Sequence, residues 1–592
     1  MHLSSRLNRL VLGLAATIGL VPAAASACGG FFCSATPVDQ QAERIVFVQE
    51  DETTLRAIVE IQYQGDRTNF AWVVPVPSVP ELDTFYPQAF QALDLATQPV
   101  YNPPWQCLPQ FGGDAAADGG APNADEDGEV MVLDRRAVGP FETATIESRD
   151  PDALVEWLRT NDFRIPEAME PFIALYANEG LKFLAMKLLP DQDVAAIRPI
   201  SMRYAAQGPA VPLRLTAVAA LLEMGVKVWV LGDGRFGPMN VPDLEVPVER
   251  VRFDAWTWQT NYSALVARLV DEKDAPAFVT EYAQPTKDLA EQIASSFVPD
   301  FAGQEAIDAR DALAALVGSK PYITRLYTRV SPEEMDIDPI FHRVMGGDVS
   351  NVHDLPETAV EHCNDPGGGG QLEAADACEF AACGQAGRCA AVATEQEGFD
   401  AVGCACAEGT LARAMLDGEA RGGARVGCAD ARLNFTAPAL TRPEDPFMNP
   451  CAEDPCGANG ECVSLNGSAS CRCDVGFVTV AQVERSPDGV VTRVLPSCVA
   501  PKVPLPNDFV ADLDPLEPNL PYPGRPGPMA PPSDPGPGVR EDDPDAVPRT
   551  GTRTANSGDD EGCSVGSTRG ASPLGALLVV LGLGLRRRRR AG

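Results

Sequence analysis

Two hydrophobic periods alternate along the first 349 residues, and then both stop. ERIVFVQE and TTLRAIVEIQY are β-branched, partly alternating runs on either side of a polar turn, the pattern of an antiparallel hairpin. FAWVVPVPSVPEL follows, and its prolines admit an edge strand or an extended segment rather than a central strand. Asp150 and Pro151 stand ahead of ALVEWLRTN as a capping carboxylate and a first-turn proline. PEAMEPFIALYANEG reads as a second helix, closed by Gly180. LKFLAMKLL, PLRLTAVAALL and VKVWVLGD read as strands, whereas NYSALVARLVDEK, KDLAEQIASSF and QEAIDARDALAALVG return to helical spacing. Strand and helix runs are interspersed without strict βαβ alternation, so the fold class expected for residues 28–349 is α+β, with mixed sheets and helices. The acidic, low-complexity residues 112–128 read as a solvated loop insertion.

Past residue 349 the periodicity gives way to punctuation. Residues 350–377 contain PGGGGQ and read as a linker. Cys378, Cys383, Cys389, Cys404, Cys406 and Cys428 then follow C-x4-C-x5-C-x14-C-x-C-x21-C. Cys451, Cys456, Cys462, Cys471, Cys473 and Cys498 follow C-x4-C-x5-C-x8-C-x-C-x24-C. One spacing written twice defines two small modules, 378–428 and 451–498, with a linker over 429–450. From 499 to 562 the chain is rich in proline and aspartate, which predicts a disordered, partly polyproline stalk. Residues 563–592 run from Cys563 through a small polar spacer and an apolar stretch to five arginines, Arg586 to Arg590. At ~1.5 Å per residue the apolar stretch covers roughly 22 Å, short of the ~30 Å of a hydrocarbon core. It therefore reads as a sorting signal that is cut away rather than as a permanent tail anchor.

The other end agrees. Residues 1–27 carry Arg6 and Arg9, an apolar run, and then Ala25-Ser26-Ala27, the small-residue pattern of a signal peptide cleaved after Ala27. Cleavage leaves Cys28 first. Lipidation there is the lesser reading, because Ala25 stands where a lipobox has a large aliphatic residue. Both routes lead out of the cytoplasm. Loss of the two end segments, which hold eight arginines and no acids, takes the formal charge from −36 to −44. Such a chain repels phosphate backbones and anionic headgroups, which argues against nucleic acid as a partner. Twelve of the 17 cysteines lie within 378–498, and that density in an exported chain points to disulfides rather than thiol chemistry.

The two cysteine repeats resemble EGF-like modules. That resemblance implies first–third, second–fourth and fifth–sixth pairing: Cys378–Cys389, Cys383–Cys404 and Cys406–Cys428, then Cys451–Cys462, Cys456–Cys471 and Cys473–Cys498. Modules this small bury little apolar surface, and disulfides at ~2–4 kcal/mol each offset the shortfall. The calcium-binding subtype has acidic and amide ligands before the first cysteine and an aromatic before the fourth. Here the leads are LEAADA and DPFMNP, and Ala469 holds the aromatic position of the second module, so no metal is expected. CGGFFC at 28–33, PVDQQAERIVF, FAWVVPVP and LYTRVSPEEMDIDPIF at 326–341 resemble the bacterial domain-of-unknown-function family 2330 over about 28–345. This implies an exported domain and carries over no catalytic residues. Gly562-Cys563, the apolar stretch and the arginines resemble the myxobacterial C-terminal sorting tail (MYXO-CTERM), which implies surface transport with processing near Cys563.

Candidate chemistry is sparse. Gly232 to Gly237 satisfy G-x-G-x-x-G, but Pro238 and Pro242 leave no room for the helix a dinucleotide needs. G-x-S-x-G at 562–566 lies in the sorting tail, without a nucleophile elbow, and LPETA at 355–359 mimics a sortase site with no membrane segment behind it. The mature chain keeps only His342, His353 and His362. His353, His362 and Cys363, with Asp348, Asp354 and Glu361 nearby, match no established ligand spacing and read as linker residues. Cys28, Cys33, Cys107 and Cys363 allow three pairings; Cys28–Cys33 is favoured, leaving Cys107–Cys363, and the first pair lacks the C-x-x-C spacing of a redox site. Trp72, Trp105, Trp157, Trp229, Trp256 and Trp258 read mostly as core rather than as a carbohydrate platform.

The expectation is a cell-surface anchored, non-catalytic binding or adhesion protein. Its partners are an unknown extracellular protein or glycan, a sorting protease, and the membrane through the C-terminal tail or a lipid near Cys563. The location implied is the cell surface or outer membrane, with the tail transiently in the inner membrane, and no cofactor is involved. The competing expectation is a secreted surface hydrolase using carboxylates such as Glu333, Glu334 and Asp336. The plainer account of that acid cluster is a helix N-terminus after Pro332.

Overall fold

The computed structural model describes residues 39–513 except 65–70, 105–131, 149, 162, 164, 166–168, 190–197, 219, 256, 274, 362–376, 395–399, 418–422, 432–448, 466–467, 486–490 and 512. The first hairpin joins strand Asp39–Gln49 to strand Thr54–Gln64, with Ile45 opposite Val59 and Phe47 opposite Ala57. Successive side chains of a strand point to opposite faces, so Ile45 and Phe47 enter one core and Val46 and Val48 another. Both faces are covered, which is why IVFV is a continuous apolar run instead of an alternating one.

That hairpin lies inside an eight-stranded sheet. In spatial order the strands are Asp243–Leu244, Phe278–Pro285, Tyr322–Val330, Ala220–Gly232, Asp39–Gln49, Thr54–Gln64, Ile200–Ala205 and Glu81–Thr84. Strand Ala220–Gly232 runs parallel to Asp39–Gln49, and most other neighbours are antiparallel. One face packs on a four-stranded sheet, Ala71–Val76, Lys182–Leu188, Phe141–Ile146 and Val132–Val138, with Pro75 in its edge strand. The other face carries helices Pro87–Thr97, Thr286–Ala294 and Gly303–Gly318 through Phe90, Leu93, Leu289, Leu313 and Val317. Helix Pro151–Thr160 starts at Asp150, whose carboxylate accepts from Asp152 N and Ala153 N. The class is α+β, with seven α-helices among the described residues and six disulfides within 378–498.

Three expectations change. PLRLTAVAALL is not a strand throughout: Leu213–Thr216 is a helical turn, and the strand begins at Ala220 and continues through VKVWVLG. Tertiary contacts fix the turn, since Asp338 accepts from Arg214 N at 3.0 Å and the Arg214 guanidinium forks onto Glu179 at 2.8 Å. The linker expected over 350–377 starts later. Strand Val352–Asp354 pairs with Val100–Asn102, strand Val360–Glu361 pairs with Phe253–Asp254, and Leu355, Ala359 and Val360 are buried under helix Tyr262–Asp271. Helix Pro87–Thr97 and the hairpin of Val132–Val138 with Phe141–Ile146 were not foreseen; the helix has no side-chain cap and no acid in its first turn. No helix among the described residues is long and apolar enough to cross a membrane. The expected leader, most of the stalk and the tail lie outside the described residues.

Candidate functional site

The third changed expectation concerns the repeats. Each builds two hairpins: Gly387–Ala393 with Asp400–Cys406 and Thr410–Leu416 with Ala424–Asp430 in the first, Gly460–Leu465 with Ser468–Cys473 and Val478–Arg485 with Val491–Val499 in the second. Disulfides join Cys378–Cys389, Cys383–Cys404, Cys406–Cys428, Cys451–Cys462, Cys456–Cys471 and Cys473–Cys498. The repeats are nevertheless not two separate beads. The first hairpin of each joins the second hairpin of the other, giving two shared four-stranded sheets.

The exchange has pseudo-two-fold logic. Cys404 pairs with Thr479 and Cys471 with Ala412, so the fourth cysteine of each repeat faces the residue six past the fifth cysteine of the other. The turn between hairpins holds Gly409 and Gly476 at φ +86° and +91°, a conformation that favours glycine. A groove with about 980 Å³ of space opens between the repeats, at the upper end of ligand-pocket sizes. Its walls are matching stretches, 404–410 and 471–477, and residues of the segment 505–511 also line it. Ala407 and Val510 are among its apolar lining, Glu408, Arg472 and Asp474 contribute charge, and Val475 is 74% exposed.

The repeats dock on the α+β domain. Leu221 and Leu222 leave the sheet at an irregularity where Glu223 takes φ +49°, and they bury against Leu411, Met415, Ala429 and Leu465. Arg425 donates to Glu223 Oε2 at 3.0 Å, to Asp417 Oδ2 at 2.6 Å, and to the Leu222 carbonyl. Arg329 also reaches Asp417, and donates to the Glu223 carbonyl at 3.0 Å. Arg268 donates to the carbonyls of Cys378 at 2.8 Å and Ala381 at 3.0 Å.

The acids proposed for catalysis sit under this seam. Pro332–Glu334 is one 3₁₀ turn with a capping box, in which Ser331 N donates to Glu334 Oε2 at 2.7 Å. Glu333 and Glu334 are 5% and 2% exposed, so solvent and substrate do not reach them, while Asp336 is half-buried. Burial, with Asp430 and Glu223 nearby, raises the Glu333 carboxyl to about 7. Gly232 to Gly237 form a strand end and a turn into the short strand Phe236–Pro238, with no helix behind it.

His342 is exposed; His353 stacks on Tyr101 at 5.1 Å, and burial lowers its pKa. Asp348 accepts from Tyr322 Oη and Asp354 from Asn102 Nδ2. Among the described residues no group of three His, Cys, Asp or Glu is placed to hold a metal. His362 and Cys28, Cys33, Cys107, Cys363 and Cys563 lie outside the described residues, as do Ala27, Trp105 and Trp256. Trp72, Trp157 and Trp229 are core, whereas Trp258 is 53% exposed at φ +57°.

Sequence reasoning missed a second charged cluster. Arg325, 2% exposed at its side chain, meets Asp94 at 2.7 Å and also pairs with Glu281, which accepts from Tyr262 Oη at 2.8 Å. Lys227 reaches Asp94 at 3.1 Å, and Arg44 bridges Glu60 at 3.0 Å and Asp94 at 3.6 Å. Three cations balance three carboxylates across five strands and one helix, a closed network that fixes packing. Its only sequence signal was a charge inside each of several apolar runs, such as Arg44 in ERIVF and Arg325 in ITRLY.

No curated protein and no solved structure matches the chain. A family model described as "Uncharacterized protein conserved in bacteria (DUF2330)" matches residues 22–340, more than half of the 592. The chain belongs to the DUF2330 family.

Proposed function

We propose that this chain is an exported protein held at the cell surface, a non-catalytic binder whose interlocked repeats receive an extended segment of a partner protein. The observation that carries this reading is the groove, lined by matching residues of two cross-paired repeats. Part of its lining is a strand-free stretch of polypeptide, 505–511, which supports a peptide as the occupant. The first–third, second–fourth, fifth–sixth disulfides support assignment of the repeats as EGF-like modules. Residues 1–27 as a leader and 563–592 as a MYXO-CTERM-type tail processed near Cys563 supply export and surface retention. Burial of Glu333 and Glu334 weighs against the surface hydrolase.

The test selects peptides from a displayed library on the immobilised full chain and measures their affinity for it and for Val475→Asp and Val510→Asp. Both positions line the groove; Val475 is exposed and Val510 half-buried. Selected peptides are expected to lose tenfold or more in affinity on either change. Equal affinity for all three proteins sinks the groove reading. Saturable binding of glycans, with no peptide selected, replaces the partner class.

A further inference from the structure

We propose that the seam between the α+β domain and the repeats is a proton-operated latch, closed while Glu333 carries a proton and loosened when it ionises. The geometry begins with an imbalance. Glu223 comes from strand Ala220–Gly232, Asp271 from helix Tyr262–Asp271, Glu333 and Glu334 from the 3₁₀ turn, and Asp417 and Asp430 from the first repeat. Three guanidiniums face these six acids: Arg268 from the helix, Arg329 from strand Tyr322–Val330, and Arg425 from strand Ala424–Asp430.

The guanidiniums are committed elsewhere. Arg425 and Arg329 share Asp417, Arg425 also takes Glu223, and Arg268 donates to backbone carbonyls of the repeat and reaches Glu379 at 3.7 Å. Glu334 accepts from Ser331 N and, across the seam, from Gln385 at 3.4 Å. Glu333 is left over. It is 5% exposed, and neither carboxylate oxygen takes a hydrogen bond from another residue. An ionised carboxylate buried without a counter-ion is costly, whereas a protonated one is not.

Burial first, opposed by a hydrogen bond from its own backbone and then reinforced by Asp430 and Glu223, moves Glu333 from 4.5 to about 7. Burial and Asp271 raise Glu334, and burial and Glu223 raise Asp271. Opening the seam returns Glu333 to its ordinary value, so the docked form binds more protons between 4.5 and 7. Docking is therefore fully favoured below about pH 4.5, weakens as pH rises through 7, and levels off above it. From well below pH 4.5 to well above pH 7, Glu333 alone changes the docking equilibrium by ~300-fold.

Met415 reports the seam, because it is 2% exposed and packs in the cluster with Leu221 and Leu222. Its oxidation by dilute peroxide, read by peptide mass on the oxidised full chain, measures opening. Met186, in the core of the α+β domain, is the control. Met415 oxidation is expected to rise by roughly 70-fold between pH 5 and 8, most of it below pH 7, with Met186 protected throughout. Glu333→Gln is expected to flatten the profile. Should that variant fail to fold, Asp430→Asn serves instead, and its midpoint is expected below that of the parent chain because one facing charge is gone. A flat profile in the parent, an unchanged slope in Glu333→Gln, an unmoved midpoint in Asp430→Asn, or Met186 oxidising in step with Met415 each overturns the latch.

Discussion

Arg425→Met removes a side chain that binds carboxylates on both sides of the seam. In the intact protein Arg425 is 11% exposed and binds Glu223, whose side chain is 3% exposed, and Asp417 at 11%. It also clasps the Leu222 carbonyl, next to a glutamate whose φ of +49° is unfavourable for any residue with a Cβ. Methionine keeps most of the aliphatic volume but strands the Glu223 carboxylate, while Asp417 retains Arg329. Removing one partner of a buried ion pair costs about 3–5 kcal/mol, and each ~1.4 kcal/mol is a factor of ten. Docking should weaken by roughly two to three and a half powers of ten. Met415 oxidation at fixed pH is the assay, with intact mass checking that all six described disulfides persist. Arg425→Lys retains a charge but not the fork, and should fall between parent and methionine. Parent-like Met415 protection in Arg425→Met would refute the argument, because the apolar contacts of Leu221 and Leu222 would then suffice.

Two further outcomes follow from other parts of the molecule. Gly387 and Gly460 hold the same place in the two repeats, and a Cβ there would lie 2.7 Å from Cys428 Sγ and 2.5 Å from Cys498 Sγ. Gly387→Ala and Gly460→Ala should each cost about 1–3 kcal/mol and lower the yield of correctly paired protein on oxidative refolding, read by disulfide mapping. Burial opposes ionisation of Asp94, but Arg325, Lys227 and Arg44 outweigh it and hold the carboxyl below 3.8. A depressed folded-state pKa gives stability that is present above 3.8 and lost as pH falls through the lower value. Urea midpoints from pH 5 downward should thus fall more steeply for the parent than for Asp94→Asn, and equal slopes would count against the network.

The fold was legible where one local rule determined the outcome. The first hairpin, the Asp150 cap and the helices at 262–271, 286–294 and 303–318 each announce themselves by period or by punctuation. Legibility failed where tertiary contact overrode period. Leu213–Thr216 is helical because Arg214 is pinned by Glu179 and Asp338, which lie 35 and 124 residues away in sequence. Residues 352–361 resemble linker in composition, yet two short strands and three apolar side chains attach them to the domain. The seam was the least visible feature. Leu222, Arg329, Asp417 and Arg425 look like ordinary strand or turn residues, and only the folded chain brings them together. PEE after Ser331 did stand out, but as a possible catalytic cluster, because nothing in the sequence shows that the repeats cover it.

The exchange between repeats explains why spacing alone suggested separate modules, and it makes a last prediction. Cysteine spacing encodes what closes within a repeat, and the described disulfides all do. It carries no information about what pairs with a strand's outer edge. Strands Asp400–Cys406 and Thr410–Leu416 follow one another in the first repeat but are inner strands of different sheets, each with one neighbour from the second repeat. Without that repeat both edges stand open, and open edges seek partners. The contact is close to self-complementary, since Cys404 meets Thr479 as Cys471 meets Ala412. A second copy of the first repeat can therefore offer much of what the second repeat offers, in a two-fold arrangement. Ala481 and Val494 of the second repeat, which pack against the first repeat's apolar cluster, have no counterpart guaranteed in such a copy, so the dimer should be weaker than the native pairing. Residues 378–431 produced alone and oxidised are expected to associate reversibly into dimers, seen as a mass that doubles with concentration in light scattering behind size exclusion. A monomer at every concentration, with its three disulfides correctly formed, would mean that each repeat is self-sufficient and that the shared sheets are a consequence of tethering rather than its cause.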